Sequence, residues 1–158
     1  MSRTYKDKKK YSRDKNFGNK YEDLLLQYFK DNPELHGADI TKTTNNWNVV
    51  DYVSEDWVCE LKSRRYSIKS FNDLMIGKNK IQEAEEAYKH EGHKSYRFYF
   101  TMKEGIFYWD FQYNPDTDEN QIYYYGMGGR NDRGIDERKE CAFIFTDEMK
   151  LLTSTIHS

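Results

Sequence analysis

Cysteine is nearly absent. Cys59 and Cys141 are the only two in 158 residues, too few for a disulfide framework or a four-cysteine zinc site. No stretch approaches eighteen apolar residues and the N-terminus is polar. A helical membrane span and a secretion signal are therefore not expected, and a cytoplasmic protein without a membrane partner is. No internal repeat is present. The run Gly126-Met127-Gly128-Gly129-Arg130 lacks the Gly-Lys-Ser/Thr ending of a phosphate loop and no clear helix follows it, so it reads as a flexible loop. His90 and His93 have metal-like spacing, but they straddle a helix end with no cysteine near, and read as surface residues.

What the chain has in plenty is aromatic area. Aromatics make up 16% of it, with 14 Tyr and 9 Phe, against a modest 37% of hydrophobic residues overall. Large rings supply much apolar surface per side chain, so a folded protein is expected. A chain of this length suits one domain burying roughly 70% of its unfolded surface. The net charge of −2 hides an asymmetry: residues 1–20 carry eight Lys and Arg against Asp7 and Asp14. A flexible basic arm over residues 1–16 and a single domain over 17–158 follow. The stretch from Lys6 through Lys20 interleaves Tyr11 and Phe17 with its charges; the arm either reaches towards a polyanion or is a solvated tail.

After the arm, Asn19-Lys20-Tyr21-Glu22 fits a capping box, and Tyr21, Leu24, Leu25, Tyr28 and Phe29 recur at helical spacing up to Asp31-Asn32-Pro33. A short polar strand is expected over 38–44, with a turn at Asn45-Asn46. Ser70-Phe71-Asn72-Asp73 resembles a helix start, although Gly77 interrupts it and can mark the true beginning; Ile81, Ala84 and Tyr88 then form one apolar face, closed by Gly92. Tyr96, Phe98 and Phe100 alternate with Arg97, Tyr99 and Thr101 before Lys103-Glu104-Gly105 turns the chain into Ile106–Phe111, a hairpin. Further expectations are an acidic loop at 114–120, a strand at 122–125, a Gly-rich charged loop at 126–140, a strand at 142–145 and a closing helix at 147–152. The aromatic-rich later strands form a dimer interface, a base-stacking surface or simply core; core is the default. The order gives an α/β (α+β mixed) fold, a central mixed sheet flanked by helices.

The stretch from Asn48 to Arg65 organises this reading. Two flanks rich in β-branched and aromatic residues surround Ser54-Glu55-Asp56, which makes a hairpin. If Glu55-Asp56 forms a two-residue turn, Asp51 lies opposite Glu60, with Lys62 on the same face. A three-residue loop would shift the pairing by one. Two facing carboxylates ~4 Å apart repel by about 4 kcal/mol at an effective dielectric near 20, and a divalent cation relieves that. Four acid-x-Lys triplets occur in the chain, about the number chance predicts, but only Glu60-Leu61-Lys62 sits in an apolar strand faced by another acid. A salt bridge from Lys62 to Glu60 or Asp51 is the plain structural alternative.

In this pattern, Asp51, eight residues and then Glu60-Leu61-Lys62, the chain resembles the PD-(D/E)XK nuclease superfamily. Gly18-Asn19-Lys20-Tyr21-Glu22 is similar to the first helix of archaeal-type Holliday junction resolvases. Lys78, Lys80 and Gln82 stand where many members carry a Lys, Gln or Tyr. Val50 replaces the proline that names the motif.

The resemblance implies a restriction-endonuclease-like αβββαβ core with extra C-terminal strands. It also implies a metal-dependent nuclease acting on DNA, in repair or recombination. Asp51 and Glu60 would ligate Mg²⁺ or Mn²⁺, the ions that hard carboxylate ligands favour. Glu22 would do so through water or a second ion, unless it is only a capping glutamate. Lys62 would orient the attacking water and stabilise developing charge. Lys80, or Lys78 at a helix start, would hold phosphate. Arg64 and Arg65 would contact the nucleic-acid backbone or stay solvated. The alternative is a catalytically inactive module of this fold that binds nucleic acid or a protein. A homodimer is compatible with either. Abundant Lys, Asn and Tyr with scarce Ala and Pro fit an AT-rich genome, such as that of a bacteriophage or large DNA virus.

Overall fold

The computed structural model describes residues 8–43, 51–64, 66–90, 94–111, 123–128 and 139–154. Helix α1 (Lys8–Asp31) leads into strands β1 (Thr41–Lys42), β2 (Tyr52–Val53), β3 (Trp57–Ser63) and β4 (Asp73–Gly77). Helix α2 (Lys78–His90) follows, then β5 (Ser95–Met102), β6 (Gly105–Phe111), β7 (Tyr123–Gly128), β8 (Lys139–Phe145), a 3₁₀ turn (Thr146–Glu148) and β9 (Lys150–Thr153). The fold is mixed α+β. Six strands form the main sheet in the order β1-β2-β3-β5-β6-β9, and β4-β8-β7 form a second, antiparallel one.

Strand β3 is the hinge of this arrangement. It pairs antiparallel with β2 and parallel with β5 along its whole length. Parallel neighbours need a long crossover, and β4 with α2 supplies it. The expected succession of helix, three strands, helix and strand is present as α1, β1–β3, α2 and β5, with β4 inserted before α2.

Alternation along the strands divides the interior in two. Val58, Tyr96, Phe98 and Phe100 face a core shared with Ile81, Ala84 and Ala87 of α2 and with Leu74, Ile76, Ala142 and Ile144 of the small sheet. Cys59, Leu61, Tyr99 and Ile106 face the other way, onto Leu25 and Phe29 of α1 and onto Tyr52. Each fully buried large side chain contributes about 1.5–3 kcal/mol relative to exposure, so α1 and α2 are held on opposite faces of one sheet.

Several expectations are corrected. The first helix opens at Lys8, not at Asn19. Phe17, Tyr21, Leu25 and Phe29 form one i, i+4 row, so the apolar period runs through Asn19 and outweighs the capping pattern. Residues 8–16 of the expected arm thus continue α1. Ser70–Asp73 opens no helix: Asp73–Gly77 is β4, with Leu74 and Ile76 buried at period two, and α2 begins directly after Gly77. Tyr88 lies on the exposed side of that helix, Ala87 taking its place in the core. Gly126–Gly128 and Lys139–Glu140 belong to strands, not to a loop.

The closing helix is one 3₁₀ turn, after which Met149 is extended and Leu151 pairs with Phe107. The open edge of β6 offers backbone partners that a short helix cannot match. The 5–6 hairpin is as expected: Met102 pairs with Gly105 across Lys103-Glu104, and Gly105 takes φ 138, where a Cβ would run into the Thr153 carbonyl. The turn at 45–46, the loop at 114–120, Gly129 and Arg130, Gly92 and His93 lie outside the described residues.

Candidate active site

The hairpin closes as a two-residue turn. Ser54 N–H donates to the Trp57 carbonyl at 2.9 Å, and Tyr52 pairs with Cys59 and Val53 with Val58. The ladder ends at Tyr52, and Asp51 follows at the level of Cys59–Leu61. Asp51 lies one residue beyond the paired stretch and is tied down on three sides. Its N–H donates to the Cys59 carbonyl (3.1 Å) and its carbonyl accepts from Thr43 N–H (2.9 Å). Its Oδ2 accepts from Leu61 N–H at 2.7 Å.

Glu60 alternates with Cys59 and points to the α2 side. Only 4% of its side chain is exposed. Its Oε1 meets two ammonium groups, Lys62 Nζ at 3.1 Å and Lys80 Nζ at 3.2 Å. Its Oε2 is buried and has no hydrogen-bond partner. A carboxylate so buried is stable only when paired or bound to metal; here one oxygen is doubly served and the other is left over. Burial pushes the Asp51 carboxyl up to about 7, with the Glu60 charge next and the Glu22 charge adding less; the Leu61 N–H and Lys62 oppose the rise.

Two further groups belong here that sequence reasoning missed. Glu83 stands one turn after Lys80 on α2, with its carboxylate 3.8 Å from Lys80 Nζ. Burial raises its carboxyl pKa, Lys80 lowers it and Glu60 raises it again. The Lys80-x-x-Glu83 spacing was a readable signal. The Tyr96 hydroxyl is buried and unpartnered; burial first, then the charges of Glu60, Glu83 and Asp51, push its pKa up. Strand alternation marks Tyr96 as core, and no sequence signal shows where its hydroxyl ends.

The remaining expected residues are placed differently. Glu22 Oε2 sits 3.1 Å from Lys42 Nζ, which also binds Asp23 Oδ1 at 3.0 Å. The Glu22 backbone carbonyl accepts the Tyr52 hydroxyl at 2.6 Å. Lys78 Nζ is 2.5 Å from Glu140 of β8. Arg64 spends its guanidinium on backbone carbonyls, donating to Met75 at 2.8 Å and Ser63 at 3.3 Å, which ties the end of β3 to β4. Arg65 lies outside the described residues. Among the described residues no three His, Cys, Asp or Glu side chains converge as a metal-binding group. Asp51 and Glu60 come together, while Glu22 is held aside by Lys42.

The donor set still fits a hard dication. It offers two neighbouring carboxylates and one buried oxygen without a partner. Mg²⁺ characteristically takes one or two protein carboxylates and keeps several waters. The Glu22 charge contributes to the rise at Asp51, and its carboxylate is paired with Lys42.

The opposite face of the same strands carries a second polar cluster. His36 Nε2 lies 2.5 Å from the Tyr99 hydroxyl and 3.5 Å from Cys59 Sγ. Arg97 donates to both Asp110 oxygens, at 2.5 and 3.1 Å, and to the Tyr99 hydroxyl at 3.3 Å. Its guanidinium also lies over the rings of Trp57 and Tyr108, 4.9 and 4.1 Å from their centroids. Arg97 donates to the Tyr99 oxygen, and the direction of the Tyr99–His36 contact is set by the imidazole tautomer. Burial, then Arg97, lower the His36 pKa to about 4.

No family model, curated protein or solved structure matches the chain. No helix among the described residues is long and apolar enough to cross a membrane.

Proposed function

We propose that this chain is a Mg²⁺- or Mn²⁺-dependent nuclease that hydrolyses phosphodiester bonds in DNA. The single observation that carries the reading is Glu60: a buried strand carboxylate with one oxygen shared by two lysines, the other unpartnered, and a second acid, Asp51, at its side. Asp51 and Glu60 would hold the ion. When bound, it polarises a phosphoryl oxygen and acidifies water. Leu61 N–H, donating to Asp51 Oδ2 at 2.7 Å, fixes the orientation of that carboxylate. Lys62, 27% exposed, can leave Glu60 to orient the attacking water. Lys80, at the head of α2, meets the negative charge that grows on the phosphate. Lys78 beside it can exchange Glu140 for a second phosphate, where helix amides also favour anions.

The competing reading is an inactive module of the same fold, and the pairing of Glu22 with Lys42 favours it. Single-stranded, duplex, flap and four-way-junction DNA, each incubated with Mn²⁺, separates the two. Cleavage that vanishes in folded Glu60→Ala and Lys62→Ala variants is expected. Equal activity of the wild type and both variants, or none in any, rejects the nuclease. Under the nuclease reading Mg²⁺ also raises the melting temperature of the wild type and not of Asp51→Ala.

A further inference from the structure

We propose that Glu83 is a positioning residue: its carboxylate keeps the Lys80 ammonium in the site once Glu60 is engaged elsewhere. The inference rests on the nuclease reading and assigns a role to a residue outside the acid-x-Lys pattern.

Lys80 is the more enclosed of the two site lysines, 13% exposed against 27% for Lys62. Both lean on the same atom, Glu60 Oε1, at 3.2 and 3.1 Å. An oxygen so shared cannot also serve a dication at full strength. When a cation claims it, two ammonium groups lose their common partner and repel each other. Lys62 has an exit towards solvent. Lys80 is the more enclosed, and weakening a carboxylate contact of a buried ammonium is costly.

Glu83 is the carboxylate that meets this need. It is three residues on in the same helix, so the two side chains are neighbours by helix geometry. It is itself largely enclosed, 22% exposed, with Oε2 3.8 Å from Lys80 Nζ. That is an ion pair but too long for a hydrogen bond, and Oε2 is buried with no hydrogen-bond partner. A shift of less than an ångström closes the pair, so Glu83 holds spare accepting capacity for the moment Glu60 withdraws. Lys80 then stays aimed at the phosphate and does not swing away.

The test uses the full chain, ¹⁵N-edited spectra of lysine ammonium groups with and without Mg²⁺, and cleavage kinetics with Mn²⁺. Lys80 is assigned by its loss in Lys80→Arg. Its ammonium signal is expected to persist at saturating Mg²⁺ in the wild type and to broaden away on Mg²⁺ addition in Glu83→Gln. In that variant kcat falls about tenfold while KM and Mg²⁺ affinity stay within about twofold, because the lost interaction acts on charge formed in the transition state. Glu83→Asp restores part of kcat. Lys80→Ala/Glu83→Gln is no slower than Lys80→Ala alone. An unchanged ammonium signal and kcat in Glu83→Gln overturns the proposal, as does a lower melting temperature with kcat intact. Weakened Mg²⁺ affinity overturns it too, by making Glu83 a ligand. A wild type whose Asp51 and Glu60 carboxyl signals ignore Mg²⁺ fails at the earlier step, the nuclease reading.

Discussion

Cys59 and Glu60 are adjacent in β3 yet enter two polar clusters of opposite character. On the α1 face, Arg97 is chelated by Asp110, stacked between rings and joined through Tyr99 to His36. Charges there match one to one, and the buried atoms without hydrogen-bond partners, His36 Nδ1 and Ser54 Oγ, belong to neutral groups. On the α2 face, Glu60 Oε2, Glu83 Oε2 and the Tyr96 hydroxyl are all buried without hydrogen-bond partners, and Asp51 is pushed towards neutrality. A completed network rigidifies a core, whereas an incomplete one costs stability at every orphaned atom. On the proposed reading the α1 face is architecture and the α2 face is the site for the cation and phosphate.

The widest separation between the faces is expected from one substitution on each. Asp51→Asn keeps an acceptor for Leu61 N–H but removes a metal-binding charge. Mg²⁺-dependent cleavage is expected to fall by about a thousandfold or more. Metal-free stability at pH 8 should hold or rise by about 1 kcal/mol, as happens when a functional site is relieved of strain. Arg97→Met should do the reverse. Losing the pair with Asp110 and the ring contacts costs about 3 kcal/mol, while kcat per folded molecule stays at the wild-type value. Urea unfolding and single-turnover kinetics on both variants check this. A destabilised Asp51→Asn protein, or an inactive but stable Arg97→Met protein, would erase the distinction.

The faces should also tilt the pH dependence of stability in opposite directions. The folded pKa of Asp51 is raised from 3.8 to about 7. Within that window the native state holds a proton that the unfolded chain has released, so this group's contribution falls as pH rises. The folded pKa of His36 is lowered from 6.5 to about 4. There the unfolded chain holds the extra proton, and the contribution rises with pH. Between about pH 4 and 6.5 the two partly cancel. Asp51→Asn is expected to steepen the rise of metal-free stability across that interval, and His36→Gln to flatten or reverse it. Parallel curves for both variants and the wild type would show that neither group is coupled to folding.

How far the sequence could be read follows the same division. The two-residue turn and the Tyr52–Cys59 register that bring Asp51 near Glu60 were legible because strand side chains repeat at exact twos and the polar break was short enough to count across. Lys80 was legible as a cation at a helix start. Glu83, one turn later, was one of three acids on α2, and only its i, i+3 spacing from Lys80 set it apart. His36 had no legible signal, since its neighbours Tyr99 and Cys59 are 63 and 23 residues away along the chain. Boundaries failed where tertiary pairing overrode local pattern, as at β4 and β9. Glu22 was placed correctly on a helix, but Lys42, the partner that restrains it, comes from a two-residue strand whose importance no local pattern announces.

That restraint gives the smallest predicted effect and the finest test of where the α2-face site ends. Lys42 Nζ contacts Glu22 and Asp23 together, and is itself 29% exposed, so the pair contributes less than about 1 kcal/mol to stability. If Glu22 belongs to the site, Lys42 competes with the metal for it. Lys42→Ala should then tighten Mg²⁺ binding about threefold by calorimetry, the scale of one partly screened charge. Adding Glu22→Gln should cancel the gain. Unchanged affinity in Lys42→Ala would leave Glu22 as a surface partner of Lys42 and restrict the cation to Asp51 and Glu60, drawing the border of the unfinished cluster at β2.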